Sequence, residues 1–197
     1  MKPRAPLIII SGPSGVGKTT TSAQLLALFP ELRRVITATT RPQRSGEKQA
    51  VDYFFLSQTA FDQLTQAKAF IETNYFGSNW YGVLRSLLYV LEQGTPCLAL
   101  PDINGARSIT AYVPDALTIW LDAPPKILEE RLMQRGSESA EKRAQRLARA
   151  REESAEARHS KLYTHTIEMI DFQQALKELQ GLITLRLQEY DRLRQRA

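Results

Sequence analysis

Cysteine is nearly absent: among 197 residues there is one, Cys97, so no internal disulfide can form. It stands in the apolar run from Pro96 to Leu100, which points to a buried thiol acting as a small hydrophobe. Long hydrophobic runs are also missing, since nothing approaches the roughly 18 apolar residues that span a bilayer. The stretch after Lys2 and Arg4 is too short for a signal peptide. No membrane association is expected, and the expected compartment is cytoplasmic. There is no internal repeat, low-complexity tract or long linker, and the length suits one domain with a full core and small insertions. Strong charge of one sign is lacking too. The net charge is +5, and the arginines gather between Arg131 and Arg158, so a local anion site is a more economical reading than nucleic acid. With 43% hydrophobic and 24% charged residues, the composition is that of a soluble globular protein.

What is present begins with Leu7-Ile8-Ile9-Ile10-Ser11, a β-branched run that leads into Gly12-Pro13-Ser14-Gly15-Val16-Gly17-Lys18-Thr19. This is the pattern G-x-x-x-x-G-K-T, and a helix-forming segment from Thr20 to Phe29 follows at once. Strand, phosphate loop and helix therefore come in the required order. Gly12, Gly15 and Gly17 permit a tight loop with inward-facing N–H groups, and the helix N-terminus adds positive potential. Lys18 is placed to reach the β and γ phosphates of a nucleotide such as ATP, and the Thr19 hydroxyl to ligand Mg²⁺.

Further along, Val35 to Ala38 reads as a short strand, Val51 to Leu56 as another, and Ser57 as the cap of a helix to about Lys68. Phe70 to Phe76 is β-like and turns at Gly77-Ser78-Asn79 into Trp80-Tyr81-Gly82. A helix from Leu84 stops at Gly94. Pro96 to Leu100 and Leu117 to Leu121 read as strands buried on both faces, with Asp102 capping a helix after the first and Pro124-Pro125 opening one after the second. A charged helix is expected from about Ser139 to Arg158 with no apolar stripe wide enough for a core face. Thr164 to Met169 is a weaker strand, and an amphipathic helix starts near Asp171. Alternating strands and helices imply an α/β fold, a parallel sheet covered on both faces. The segments 35–93 and 135–158 do not belong to that sheet.

Thr39-Thr40-Arg41-Pro42-Gln43-Arg44-Ser45-Gly46-Glu47, with the phosphate loop, Val51-Asp52-Tyr53, Phe70-Ile71-Glu72, Trp80-Tyr81-Gly82, Asp102-Ile103-Asn104-Gly105-Ala106 and Arg135-Gly136-Ser137-Glu138-Ser139, resembles the guanylate kinase family in order and spacing. The resemblance implies a P-loop NTPase-type parallel sheet as core (1–34, 94–134 and 159–197), an acceptor-binding insert (35–93) and a lid (135–158). It implies ATP-dependent phosphorylation of GMP, with dGMP as a further acceptor, using Mg²⁺. Arg41, Arg44, Tyr53 and Tyr81 would hold the acceptor phosphate, since guanidinium forks match phosphate oxygens and phenols donate one further bond each. Glu72 would accept from the ring N–H and the exocyclic amino group of guanine, with Asp102 and Thr37 near the base. Arg135 and Arg146, joined by Arg131 and Arg143, would close on the transferring group, where cationic stabilisation counts most.

Three positions depart from the family pattern. Leu100 stands where an acid near the metal is usual, so either Asp102 or Glu47 takes part of that role, Pro101 shifts the local register, or the enzyme is slow. Val83 replaces a hydroxyl expected to meet guanine, and Met169 an asparagine near the donor base. Two rival readings follow from these departures: a kinase with another acceptor, a different nucleotide or a sugar phosphate, and a binding module that has lost catalysis.

Overall fold

The structure is a computed structural model and describes residues 3–134 and 140–196. In chain order its first half comprises β1 (Leu7–Ser11), α1 (Lys18–Leu28), β2 (Arg33–Arg34), β3 (Ala38–Thr39), β4 (Phe54–Phe55), α2 (Gln58–Gln66), β5 (Phe70–Phe76), β6 (Asn79–Leu84) and α3 (Ser86–Glu92). β7 (Cys97–Ala99), α4 (Ile103–Tyr112), β8 (Leu117–Asp122), α5 (Pro125–Gln134), α6 (Ala140–His159), β9 (His165–Glu168) and α7 (Phe172–Gln195) complete it.

Two sheets form. The core sheet runs β2-β7-β1-β8-β9 with every pairing parallel. β1 is central, with Leu7 opposite Cys97 on one side and Ser11 opposite Trp120 on the other. Its successive side chains point to opposite faces, and both faces are covered. Ile8 and Ile10 pack with Leu25 of α1 and with Leu179 and Ile183 of α7. Leu7 and Ile9 pack with Leu87 and Leu91 of α3 and with Ile109 of α4. Burial on both faces explains why the strand is apolar throughout rather than alternating. Each such side chain contributes about 1.5–3 kcal/mol of transfer free energy. Cys97 is 2% exposed, and burial pushes its thiol up to about 11, as expected of a packed, unreactive cysteine.

The second sheet, β4-β3-β6-β5, lies in the insert, with β5 and β6 joined as the expected hairpin. It has its own small core of Ala38, Phe61 and Phe70. The strand expected over Val35 to Ala38 is displaced. Arg33–Arg34 pairs with β7, the Val35 N–H still donates to Leu98 O at 2.8 Å, and Ala38–Thr39 joins the second sheet. The run thus crosses between sheets, and of its four residues only Ala38 is in a strand. In the Val51–Leu56 run the strand is confined to Phe54–Phe55, with Tyr53 in an isolated bridge to Gln49, because Lys48 O accepts from Val51 N and Asp52 N in a turn.

α6 does have a face on the core. Ala150, Ser154 and Ala157 are buried, the Ser154 hydroxyl donates to Asp122 Oδ1 at 2.9 Å, and Ala157 packs with Ile103 and Trp120. Small residues make that face, so it carries little hydrophobicity to detect.

Candidate active site

The C-terminal ends of the core strands open on a cleft of about 700 Å³. At its floor the chain leaves β1 through the phosphate loop. A Cβ on Gly12 would lie 2.6 Å from the carbonyl oxygen of Leu121, so β8 approaches too closely for any other residue. Gly17 precedes α1 with φ +110°, a conformation that L side chains rarely adopt. The Lys18 ammonium donates to Gly12 O at 2.5 Å and Pro13 O at 3.2 Å, which lays its charge over the loop. Val16 is buried in the core, anchoring the loop from beneath.

Opposite the loop, the insert supplies cations and phenols. Arg41 donates through one guanidinium nitrogen to Glu47 Oε1 at 2.7 Å and through another to Pro42 O at 2.8 Å. Glu47 Oε2 accepts the Arg44 N–H at 2.8 Å. This bridge raises the Arg41 ionisation above its usual value and lowers that of Glu47. The Arg41 guanidinium lies 5.3 Å from the Tyr53 ring centroid, and the Tyr53 and Tyr81 rings meet edge-on at 6.1 Å. Arg41, Arg44, Tyr53 and Tyr81 all line the cleft with Gly12, Ser14, Lys18 and Thr19. Arg146 of α6 reaches the same space and donates to the Ser14 hydroxyl.

At one side Asp102 caps α4, its Oδ1 accepting from Gly105 N at 2.8 Å. Glu72 of β5 sits behind it. Burial, with the Asp102 charge second, pushes the Glu72 carboxyl up to about 7. A raised carboxyl beside a second acid that lines a cleft points to a functional site.

Not every expected residue faces the cleft. Pro13, Gly15, Val16 and Gly17 belong to the loop at its floor without lining it, and Thr37 and Glu72 do not line it. Arg135 lies outside the described residues. Arg131 does not take a lid position: it donates to Val16 O at 3.1 Å and Met169 O at 2.7 Å, tying α5 to the loop and to the chain after β9. Glu47 and Asp102, named as metal candidates, have their oxygens engaged by Arg41, Arg44 N, Gly105 N and Asn74. Among the described residues no cluster of three or more His, Cys, Asp or Glu could hold a metal. The three departures are packing residues here. Leu100 packs on the core, Val83 is buried opposite Glu72, and Met169 is 1% exposed.

The cleft also contains residues to which motif reading gave no role: Arg34, Asp52, Arg149 and Glu153. Arg149, three positions after Arg146, was detectable as its helix-face neighbour. Asn74, which donates to Asp102 Oδ2 at 2.5 Å, carried no sequence signal, because the contact depends on how the hairpin meets α4.

A parallel sheet with a phosphate loop at the end of its central strand defines a P-loop NTPase fold. The family model described as Guanylate kinase matches residues 4–185. A guanylate kinase of Synechococcus sp. (strain JA-3-3Ab) is 36% identical over 183 residues, 91% of this chain and 82% of the relative. One of Thermobifida fusca (strain YX) is 42% identical over 152 residues, 76% of this chain and 77% of the relative. The crystal structure of guanylate kinase from Anaplasma phagocytophilum superposes with a TM-score of 0.71 at 23% identity, covering 93% of this chain and 87% of that one. The chain belongs to the guanylate kinase family.

Proposed function

We propose that the protein phosphorylates GMP, and dGMP, by in-line transfer of the γ-phosphoryl group of ATP. The observation that carries this reading is one cleft with a phosphate loop on one side and Arg41, Arg44, Tyr53 and Tyr81 on the other. Two anionic ends could meet there with a cation at each. The Glu72 and Asp102 pair beside it offers only acceptors when ionised, which suits the ring N–H and amino group of guanine and has no match on adenine. Membership of the family and the names of its relatives point the same way.

In this reading the loop N–H groups and Lys18 hold the donor phosphates, and the helix N-terminus behind them adds favourable potential. Arg41 and Arg44 grip the acceptor phosphate in forked hydrogen bonds, with Tyr53 and Tyr81 donating beside them. Arg146 and Arg135 stabilise charge on the equatorial oxygens as transfer proceeds. Closure of the lid, 135–158, and the insert, 35–93, on the core excludes water that would otherwise hydrolyse ATP.

The Thr19 hydroxyl, exposed at the start of α1 beside the loop, fits a Mg²⁺ ion held mainly by nucleotide phosphate oxygens and water, the usual coordination of this hard cation. When bound, the ion would neutralise charge between the β and γ phosphates.

A coupled assay for ADP release, with ATP and Mg²⁺ in excess, tests the reading. GMP-dependent ADP formation is the expected result. Its absence from protein shown to be folded, with a control guanylate kinase active, overturns it.

A further inference from the structure

Asn74 stands two residues beyond Glu72 on β5, so the two side chains leave the same face of the strand. The register is regular there, with Glu72 opposite Val83 and Asn74 opposite Tyr81. That face meets the first turn of α4. Asn74 Nδ2 donates to Asp102 Oδ2 at 2.5 Å, and Asp102 Oδ1 accepts the Gly105 N–H at 2.8 Å. Each oxygen of Asp102 therefore has its own donor, one from the hairpin and one from the helix, and the carboxylate is fixed in rotation.

Glu72 borders the same turn. A Cβ on Gly105 would lie 3.4 Å from both Glu72 Oε1 and Asp102 Oδ1, so the absence of a side chain at Gly105 leaves the two carboxylates facing a common space. Neighbouring acids repel and would drift apart unless held. Asn74 is the side chain that holds Asp102, together with the Gly105 N–H of its own helix, while Val83 adds nothing polar to this corner.

We propose that Asn74 is a positioning residue for the acceptor base. It sets the Asp102 carboxylate beside Glu72 so that the pair accepts from two adjacent donors on one purine edge, a ring N–H next to an exocyclic amino group. In this arrangement Glu72 takes the ring N–H and Asp102 the amino group. The inference rests on the GMP reading given above and names what makes the site selective.

The test compares GMP with IMP, which keeps the ring N–H and lacks the amino group. Steady-state kinetics are measured for wild type, Asn74→Leu, which keeps the volume without a donor, and Asn74→Gln, which keeps an amide, with thermal midpoints for all three. Asn74→Leu is expected to raise the KM for GMP about tenfold, the scale of one lost hydrogen bond to a charged group. KM for IMP should change less than about threefold and KM for ATP should not change, while Asn74→Gln stays within about threefold of wild type for GMP. An unchanged GMP-to-IMP ratio in Asn74→Leu overturns the inference, whether the kinetics are those of wild type or all substrates decline together with the thermal midpoint. Wild type without GMP-dependent ADP formation overturns the GMP reading, and the inference with it. Wild-type activity with an unchanged ratio overturns the inference alone.

Discussion

Glu72 gives the sharpest prediction because its environment and its role make opposite demands. Burial, and then Asp102, push its carboxyl up to about 7, whereas accepting the ring N–H of guanine in a charge-assisted bond needs the ionised form. The base must therefore bind the fraction of protein in which Glu72 has lost its proton. At pH 6 roughly one molecule in ten is in that form, so the KM for GMP should rise about tenfold for each unit below 7 and level off above it. A phosphate monoester takes up its second proton near about 6, which also weakens acceptor binding in acid. Glu72→Gln separates the two effects, since it removes the carboxyl titration and leaves the phosphate. The assay is the KM for GMP at saturating ATP from about pH 5.5 to 8.5, which spans both titrations. Wild type should show the steeper fall in KM with rising pH. The variant should have a higher KM at pH 8, by about ten- to a hundredfold for the loss of charge-assisted bonds. Parallel profiles would refute the assignment. The same raised carboxyl bears on stability. Its unfolded value is near 4.5, so the unfolded chain releases the proton first and folding loses stability as pH rises from there to about 7. Glu72→Gln should then melt higher than wild type at pH 8.

Lys18→Ala is expected to abolish turnover while the thermal midpoint holds within a few degrees, which circular dichroism and the ADP assay check together. Arg41→Ala should raise the KM for GMP and lower kcat, because the interaction strengthens in the transition state; Glu47→Gln, which breaks the 2.7 Å bridge to Arg41 without removing the guanidinium, should have a smaller effect on both. Gly12→Ala would set a methyl group 2.6 Å from Leu121 O, so loss of ATP binding by calorimetry is expected.

The sheet was legible where side-chain chemistry and burial agree. β1, β7 and β8 are apolar because both faces are covered, and the glycine-spaced loop after β1 fixes where phosphate chemistry belongs. Legibility failed where long-range geometry decides. Val35 to Ala38 has strand composition throughout, yet the chain must leave one sheet for the other within it. The buried face of α6 consists of Ala150, Ser154 and Ala157, too small to mark a stripe. Arg131 belongs to an arginine-rich stretch, but two backbone carbonyls claim it, and neither is visible in sequence. In the site, the acceptor cations follow from a contiguous motif, whereas the Asn74 contact to Asp102 joins residues that only folding brings together.

The measurement that bears most directly on the central claim is direct detection of the phosphorylated product across a panel of GMP, AMP, CMP, UMP and sugar phosphates, with ATP as donor. The account predicts GDP formation with a kcat/KM for GMP at least about a hundredfold above AMP, the discrimination expected when buried carboxylates meet a base without the matching donors. Equal turnover of GMP and AMP, or a sugar phosphate as best acceptor, would contradict it.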